Sequence, residues 1–320
     1  MTPLVSVYCL AYNHEKYIRE TLEGFMRQKT DFSYEVIVHD DASTDGTANI
    51  IREYAEKYPE IIKPIIQTEN QYSKGLLIFH SFIYPHIRGK YLAVCEGDDY
   101  WCDEYKLQKQ VDWMEAHPDY SLCAHNSKII NCADGKTELF NDIEHDRDFS
   151  FEEILRGGKE GRTVFHTSSI LFRYEFAITP IDFRVKGIGD YPKFLYMALC
   201  GRVHCFAEAM SVYRAFVPGS WTSCMRFSTD ALKRREEHWN NFKRMLHNID
   251  EFTEGRYSKC INERIRNGDV KLLQEKGDLK TIRTQYPDLY KRFNPKQKMI
   301  LYIHHYFPAL FRAYRKLRYK

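Results

Sequence analysis

The sequence predicts an α/β fold built around a mostly parallel sheet. Apolar, β-branched runs alternate with helix-period segments through the first 117 residues. The links are short, and strand–helix alternation with short links implies right-handed βαβ units. Three of the strand-like runs lead into polar clusters, Tyr12-Asn13, Asp40-Asp41 and Asp98-Asp99. Open α/β sheets bind ligands beyond the carboxyl ends of their strands, so these clusters are expected on one rim.

Taken in order, residues 5–10 form an apolar run suited to a buried strand. Residues 14–29 follow with Tyr17, Ile18, Leu22, Phe25 and Met26 on one helical face. A second strand at 35–39 ends in the turn cluster 40–47, where Ser43 or Asp45 can cap a helix over 47–58. Residues 61–67 read as a third strand. Residues 75–88 are helical in pattern, with Pro85 disturbing the end. A fourth strand at 90–96 precedes Gly97-Asp98-Asp99-Tyr100-Trp101, and a helix over 103–116 stops near Pro118. The second half is less regular: strands at 120–131, 166–173 and 203–213, a helix over 189–200 beginning beside Asp190, then helices over 227–249, 257–276 and 296–318. The expected organisation is therefore an α/β domain over 1–222, with halves 1–117 and 118–222, and a helical extension over 223–320.

The 320 residues include 43% hydrophobic and 28% charged side chains, which excludes a disordered chain. No apolar run approaches the length of a spanning helix. The start, Met-Thr-Pro-Leu-Val-Ser-Val, carries neither a basic n-region nor a small-residue cleavage site, so a secretory leader is not expected. The nine cysteines are scattered, with no C-x-x-C pair, which reads as reduced thiols in a cytoplasmic protein. Residues 291–320 hold nine Lys/Arg and no acid, which leaves the first 290 residues at −6 against +3 for the whole chain. A mildly acidic body argues against a nucleic-acid partner.

Asp98-Asp99 places two carboxylates side by side at a strand end. Leaving both ionised has a cost that a divalent cation removes, and Mg2+ or Mn2+ commonly bridges carboxylate to diphosphate. The alternative is a solvated turn. Residues 41–46 imitate the opening of a calcium loop, but the twelfth position is Arg52 where a bidentate Glu is required, so that reading fails.

The segments 6–13, 38–47 and 97–99, in that order and spacing, resemble the family 2 glycosyltransferases of bacterial surface-polysaccharide type. The resemblance covers roughly residues 4–222. It implies the GT-A fold, a Rossmann-like nucleotide-binding mixed sheet flanked by helices and continuous with an acceptor-binding half. It implies an inverting, metal-dependent transfer from a nucleotide sugar, with UDP the expected nucleotide, to a saccharide or lipid-linked saccharide. Residue by residue, Leu10, Ala11, Tyr12 and Asn13 would border the base, and Asp41 would accept from its N–H. Asp98 would lie against the ribose, and Asp99 would hold Mg2+ or Mn2+ on the diphosphate. Gly189-Asp190-Tyr191-Pro192 matches the family's catalytic motif, making Asp190 the general base; the bland reading of Asp190 is a helix cap. Related sequences often place a metal-binding His two residues after the Tyr-Arg pair, where this chain has Phe216. His166 and His204 are candidate substitutes, each with an ordinary packed reading beside it.

Four further assignments stay open between function and packing. Trp101 and Trp221 either stack on sugar or fill the core. Thr167 and Ser168 either touch the acceptor or are half-exposed strand residues. Lys74 either approaches the diphosphate or is a solvated loop lysine. In residues 296–320, Met299, Ile300, Ile303, Phe307, Leu310, Phe311, Tyr314 and Leu317 lie among the cations. They either form an interfacial helix on an anionic inner-membrane surface or pack on the body. Two other functions compete. A sugar-phosphate nucleotidyltransferase would need a Gly-rich phosphate loop, which Ala11-Tyr12-Asn13-His14-Glu15 is not. A degenerate sugar-nucleotide-binding module would fit Phe216.

Overall fold

Strand β1 (Val5–Ala11) is buried along almost its whole length, which suits an inner strand of a parallel sheet. The computed structural model describes residues 2–158, 162–311 and 313. Two compact units divide the chain. The first combines residues up to Ile181 with Asp190–Thr222; the second combines Asp182–Gly189 with residues from Ser223 onward.

In the first unit β1 is followed by α1 (Ile18–Met26), β2 (Tyr34–Asp40), α2 (Thr47–Lys57), β3 (Ile62–Ile66), β4 (Tyr91–Val94), β5 (Tyr100–Trp101) and α3 (Lys106–Ala116). Next come β6 (Tyr120–Asn131), β7 (Thr137–Leu139), β8 (Arg147–Phe149), α4 (Phe151–Arg156), β9 (Leu171–Arg173), α5 (Tyr174–Ile178), α6 (Tyr191–Cys200) and β10 (Arg202–Ala215). The sheet runs β3-β2-β1-β4-β9-β6-β10-β5, with β7 on β6 and β8 on β10. β3, β2, β1 and β4 are parallel, as βαβ units require. β9 then enters antiparallel to both β4 and β6, so the sheet is mixed, although β6 and β10 pair parallel again. The core packs Ile18, Leu22 and Phe25 of α1 and Leu107, Val111 and Met114 of α3 against Val5, Val7 and Cys9 of β1.

Two expected elements are corrected. Residues 75–88 are helical only in their middle, as a π-helix (Phe79–Ile83) running into a 3-10 turn (Tyr84–His86) that holds Pro85, which lacks the N–H a regular α-helix would need. Within 166–173 the strand is confined to Leu171–Arg173, and Thr167–Ser169 is a single tight turn. Trp101 is also placed. It is 1% exposed, meets Phe25 edge-on at 4.8 Å, and donates from Nε1 to Ser168 O at 2.9 Å. It belongs to the core and offers no face to a sugar.

Lys106 is fully buried against that indole, with Nζ 4.0 Å from the ring centre and donating to Gln110 Oε1 at 2.7 Å. Burial pushes its ammonium down to about 7. The unfolded chain therefore binds more protons between pH 7 and the ordinary lysine range, and stability rises with pH across that window. Lys106→Met is expected to flatten this slope and to raise the melting temperature at pH 7. Thermal melts of both proteins across pH 6–9 check it, and a parallel slope in the variant removes Lys106 as its source.

The second unit is helical: α7 (Trp221–Phe227), which begins at the boundary, α8 (Ala231–Phe252), α9 (Ser258–Lys276), α10 (Leu279–Gln285), α11 (Pro287–Lys291) and α12 (Pro295–Tyr306). Val270, Leu279, Ile282 and Leu301 form its small core. The expected single helix over 296–318 ends its regular run at Tyr306, with Pro308 two residues on. Arg312 and residues 314–320 lie outside the described residues.

Candidate functional site

The carboxyl ends of β1, β2 and β4 are tied together by their own polar groups. Asn13 N–H donates to Ser43 Oγ at 2.8 Å, and Asn13 Oδ1 accepts from Thr44 N–H at 2.8 Å. Asp45 accepts from Thr47 N–H at the start of α2 and from Glu15 N–H, so capping is its role. Asp41 is buried; its two oxygens accept from the Gln71 and Tyr72 N–H groups at 2.8 and 3.1 Å, which pins the following loop to β2. Each oxygen retains a second lone pair. Asp41 N–H in turn donates to Ala11 O at 3.0 Å. Among the described residues only four non-glycines have left-handed backbone. Asn13 (φ 57°), Ala42 (φ 61°) and Phe216 (φ 64°) are three of them, one or two residues past β1, β2 and β10. Such strain persists where surroundings over-determine it and gathers at functional rims.

After β4 the main chain keeps following β1, with Gly97 N–H donating to Leu10 O at 2.8 Å. A Cβ at Gly97 would meet His14 Nδ1 at 2.8 Å and Ala11 Cβ at 3.1 Å, so a larger residue before the Asp pair would have to push the His14 ring aside. Asp99 is buried, and its Oδ1 accepts from Arg214 N–H at 2.8 Å. Its Oδ2 stands 3.7 Å from His166 Nε2. Asp98 Oδ2 stands 3.9 Å from His14 Nε2. Burial first, then Asp98 and Glu96, push the Asp99 carboxyl well up. Glu96 accepts from Thr167 Oγ1 at 2.9 Å and is pushed up to about 7 by burial, then by Asp190 and Asp98. Asp190 is thus electrostatically part of the same acid cluster, and it raises Tyr8 as well. It occupies the N-cap position of α6 but makes no side-chain capping hydrogen bond. The capping account of Asp190 does not apply here.

Arg214, absent from the sequence-based candidates, locks the Asp pair. Its Nη1 donates to Asp98 O at 2.7 Å, Nη2 reaches Glu20, and the guanidinium lies 4.5 Å from the Tyr100 ring centre. Arg214→Met is expected to cost about 2 kcal/mol of stability through the stranded carbonyl and to weaken donor binding. Melts and calorimetry of the variant check both, and unchanged donor affinity would clear Arg214 of any positioning role.

The remaining candidates separate. Leu10 is half-buried and Ala11 buried, leaving Tyr12 and Asn13 as the exposed members of that loop. Lys74 pairs with Glu69 of its own loop. Ser168 is fully buried, its Oγ shared with Ser211 and His166, so it presents nothing to an acceptor. Trp221 is 57% exposed. His204 is corrected as a metal candidate: it stacks on Trp113 at 3.7 Å and pairs with Asp148, near the start of β10. Phe216 packs with Ile129, Phe140 and Ala215. His166 instead brings an imidazole towards Asp99, stacked on Tyr213 at 4.1 Å, and burial pushes it down to about 3. The neutral ring is the form that ligates metals. Among the described residues no group of three or more His, Cys, Asp or Glu is spaced to enclose a metal. Mg2+ and Mn2+ need fewer protein ligands, since they keep water and bind through one or two carboxylates plus phosphate oxygens. The Asp98-Asp99 oxygens fit that requirement.

Residues 6–177 match the family described as Glycosyl transferase family 2. An uncharacterized protein of Mycobacterium tuberculosis is 37% identical over 219 residues, covering 68% of this chain and 61% of that protein. Escherichia coli WfaP, named a UDP-Glc:alpha-D-GlcNAc-diphosphoundecaprenol beta-1,3-glucosyltransferase, is 34% identical over 112 residues, 35% of this chain and 41% of that one. The chain thus spans about three fifths or less of these curated relatives. The solved mannosyltransferase PcManGT from Pyrobaculum calidifontis, in complex with GDP-Man and Mn2+, shares the fold with a TM-score of 0.53 at 18% identity, covering 100% of this chain and 85% of that one.

Proposed function

Because the chain belongs to glycosyl transferase family 2, we propose that it moves a sugar, with inversion, from a UDP donor to a saccharide or lipid-linked saccharide in polysaccharide biosynthesis. The observation that carries this reading is Asp190. It sits at a helix N-terminus without a side-chain capping bond, and its charge and that of Asp98 both push up the buried Glu96 carboxyl. A lone general base across from a diphosphate-binding pair is the arrangement direct displacement requires.

On the donor side, Tyr12 and Asn13 with the Leu10-Ala11 backbone border the base, and Asp41 accepts from its N–H. Asp98 takes the ribose hydroxyls. Asp99, with Asp98, is the proposed seat of Mg2+ or Mn2+, with His166 beside it. A bound divalent ion would stabilise the charge developing on the leaving diphosphate. Asp190 takes the proton from the acceptor hydroxyl as that oxygen attacks the anomeric carbon. Thr167 and Trp221 are the proposed acceptor-side contacts. The UDP-Glc and diphosphoundecaprenol in WfaP's name, and the Mn2+ in the PcManGT complex, support the donor, the lipid-linked acceptor and the metal.

A screen of nucleotide sugars for hydrolysis with Mg2+ or Mn2+, run beside donor-binding calorimetry, tests it. Metal-dependent turnover of a UDP-sugar is the expected result. Tight donor binding with no turnover of any donor would favour the degenerate binding module that Phe216 leaves open.

A further inference from the structure

The helix α12 has two faces of opposite use. Inward, Leu301 joins Val270, Leu279 and Ile282, while His304 and His305 make ring-nitrogen contacts with Gln274 O and Gly277 O at 3.3 and 2.8 Å. Outward, Met299, Tyr302 and Tyr306 recur at helical spacing and are each more than half exposed. Phe307 and Leu310 continue the exposed apolar surface beyond the helix end. Tyr302 and Tyr306 contact each other at 4.7 Å, and Tyr302 lies 6.4 Å from Phe307. A folded helix already anchored by its other face has no packing reason to display this row. Monomeric soluble proteins rarely expose contiguous apolar surface without a use.

We infer that the outer face of α12 is a docking surface for an anionic lipid bilayer. Three observations select that occupant. The row is aromatic, and tyrosine rings suit the headgroup level, where an apolar body meets a polar tip. The cations Lys291, Arg292 and Lys296 are exposed, Lys296 about one helical turn before Met299, within a segment of nine Lys/Arg and no acid. A second copy of this chain would bring cations against cations, whereas anionic headgroups complement them. No helix among the described residues is long and apolar enough to cross a membrane, so the attachment is to the surface. The inference goes beyond the proposed transfer and does not depend on it.

The test uses the full chain, sedimented with vesicles of mixed phosphatidylglycerol and phosphatidylcholine or of phosphatidylcholine alone, at low and high salt. Binding to the mixed vesicles only, weakening with salt, is expected. Arg292→Gln with Lys296→Gln should weaken it about 25-fold, at about fivefold per cation removed. Tyr302→Ser with Tyr306→Ser should also release the protein, with little change in melting temperature because both side chains are exposed. Should the aromatic variant melt low, the charge variant decides alone. Failure of the parent to pellet with anionic vesicles overturns the inference, and so does binding unchanged in the charge variant. A parent that dimerises, becomes monomeric in the aromatic variant and ignores lipid would assign the face to a second copy. Donor hydrolysis is measured on the same samples. Lost turnover with intact vesicle binding would count against the transferase reading alone, and the converse against this surface alone.

Discussion

Asp190→Asn is expected to leave donor binding intact and to slow transfer by about 10²–10⁴-fold, the usual scale for removing a general base. The amide keeps the shape of the carboxylate and discards its basicity. The substitution breaks no side-chain capping bond to α6, and a thermal melt beside the parent checks that the fold is kept. Steady-state transfer, measured with the donor that the hydrolysis screen identifies, separates the effects: kcat should fall while donor affinity holds. Near-normal turnover would show that another group deprotonates the acceptor, and Glu96, whose field overlaps that of Asp190, would be the next to test.

Asp99→Asn should abolish the metal dependence of donor binding, weakening affinity for UDP with Mn2+ by about 10²-fold or more. Asparagine is the better variant because Asp99 Oδ1 accepts the buried Arg214 N–H. Asp99→Ala would strand that donor at a cost of about 1–3 kcal/mol, confounding binding with stability. Asn keeps the acceptor and removes a carboxylate that burial and two neighbouring acids already penalise, so it should melt no lower than the parent. Calorimetry with UDP, with and without Mn2+, decides the matter. Unchanged metal-dependent affinity would move the cation away from Asp99.

Much of the first half was legible because its signals are local. β1, β2, α2 and β3 lie within a residue or two of the periodicity that predicts them. Residues 75–88 are helical where the apolar spacing predicts it, but shorter and not α-helical, since Pro85 denies the end its backbone bond. The 166–173 stretch failed for a different reason. Ser168 and Ser169 are wholly buried among tertiary partners, and no alternation of polarity marks a tight turn of that kind. The helical extension was legible in its long helices and illegible in α10 and α11, which are too short to display a period.

The same division runs through the site. The sequence by itself determined the α/β alternation, the acid pair after β4 and the Asp before α6, since periods, turn residues and strand-end motifs are written in consecutive positions. Tertiary structure alone decided what those groups became. Trp101, beside the Asp pair, went into the core, while Arg214, 115 residues from Asp99, supplies the N–H that holds its carboxylate. His166 was brought to Asp99 from a separate loop, whereas His204, on the same strand as Arg214, was left with Trp113 and Asp148. Burial and long-range pairing set the charge and partner of each group, and those depend on residues that are neighbours only in the folded chain.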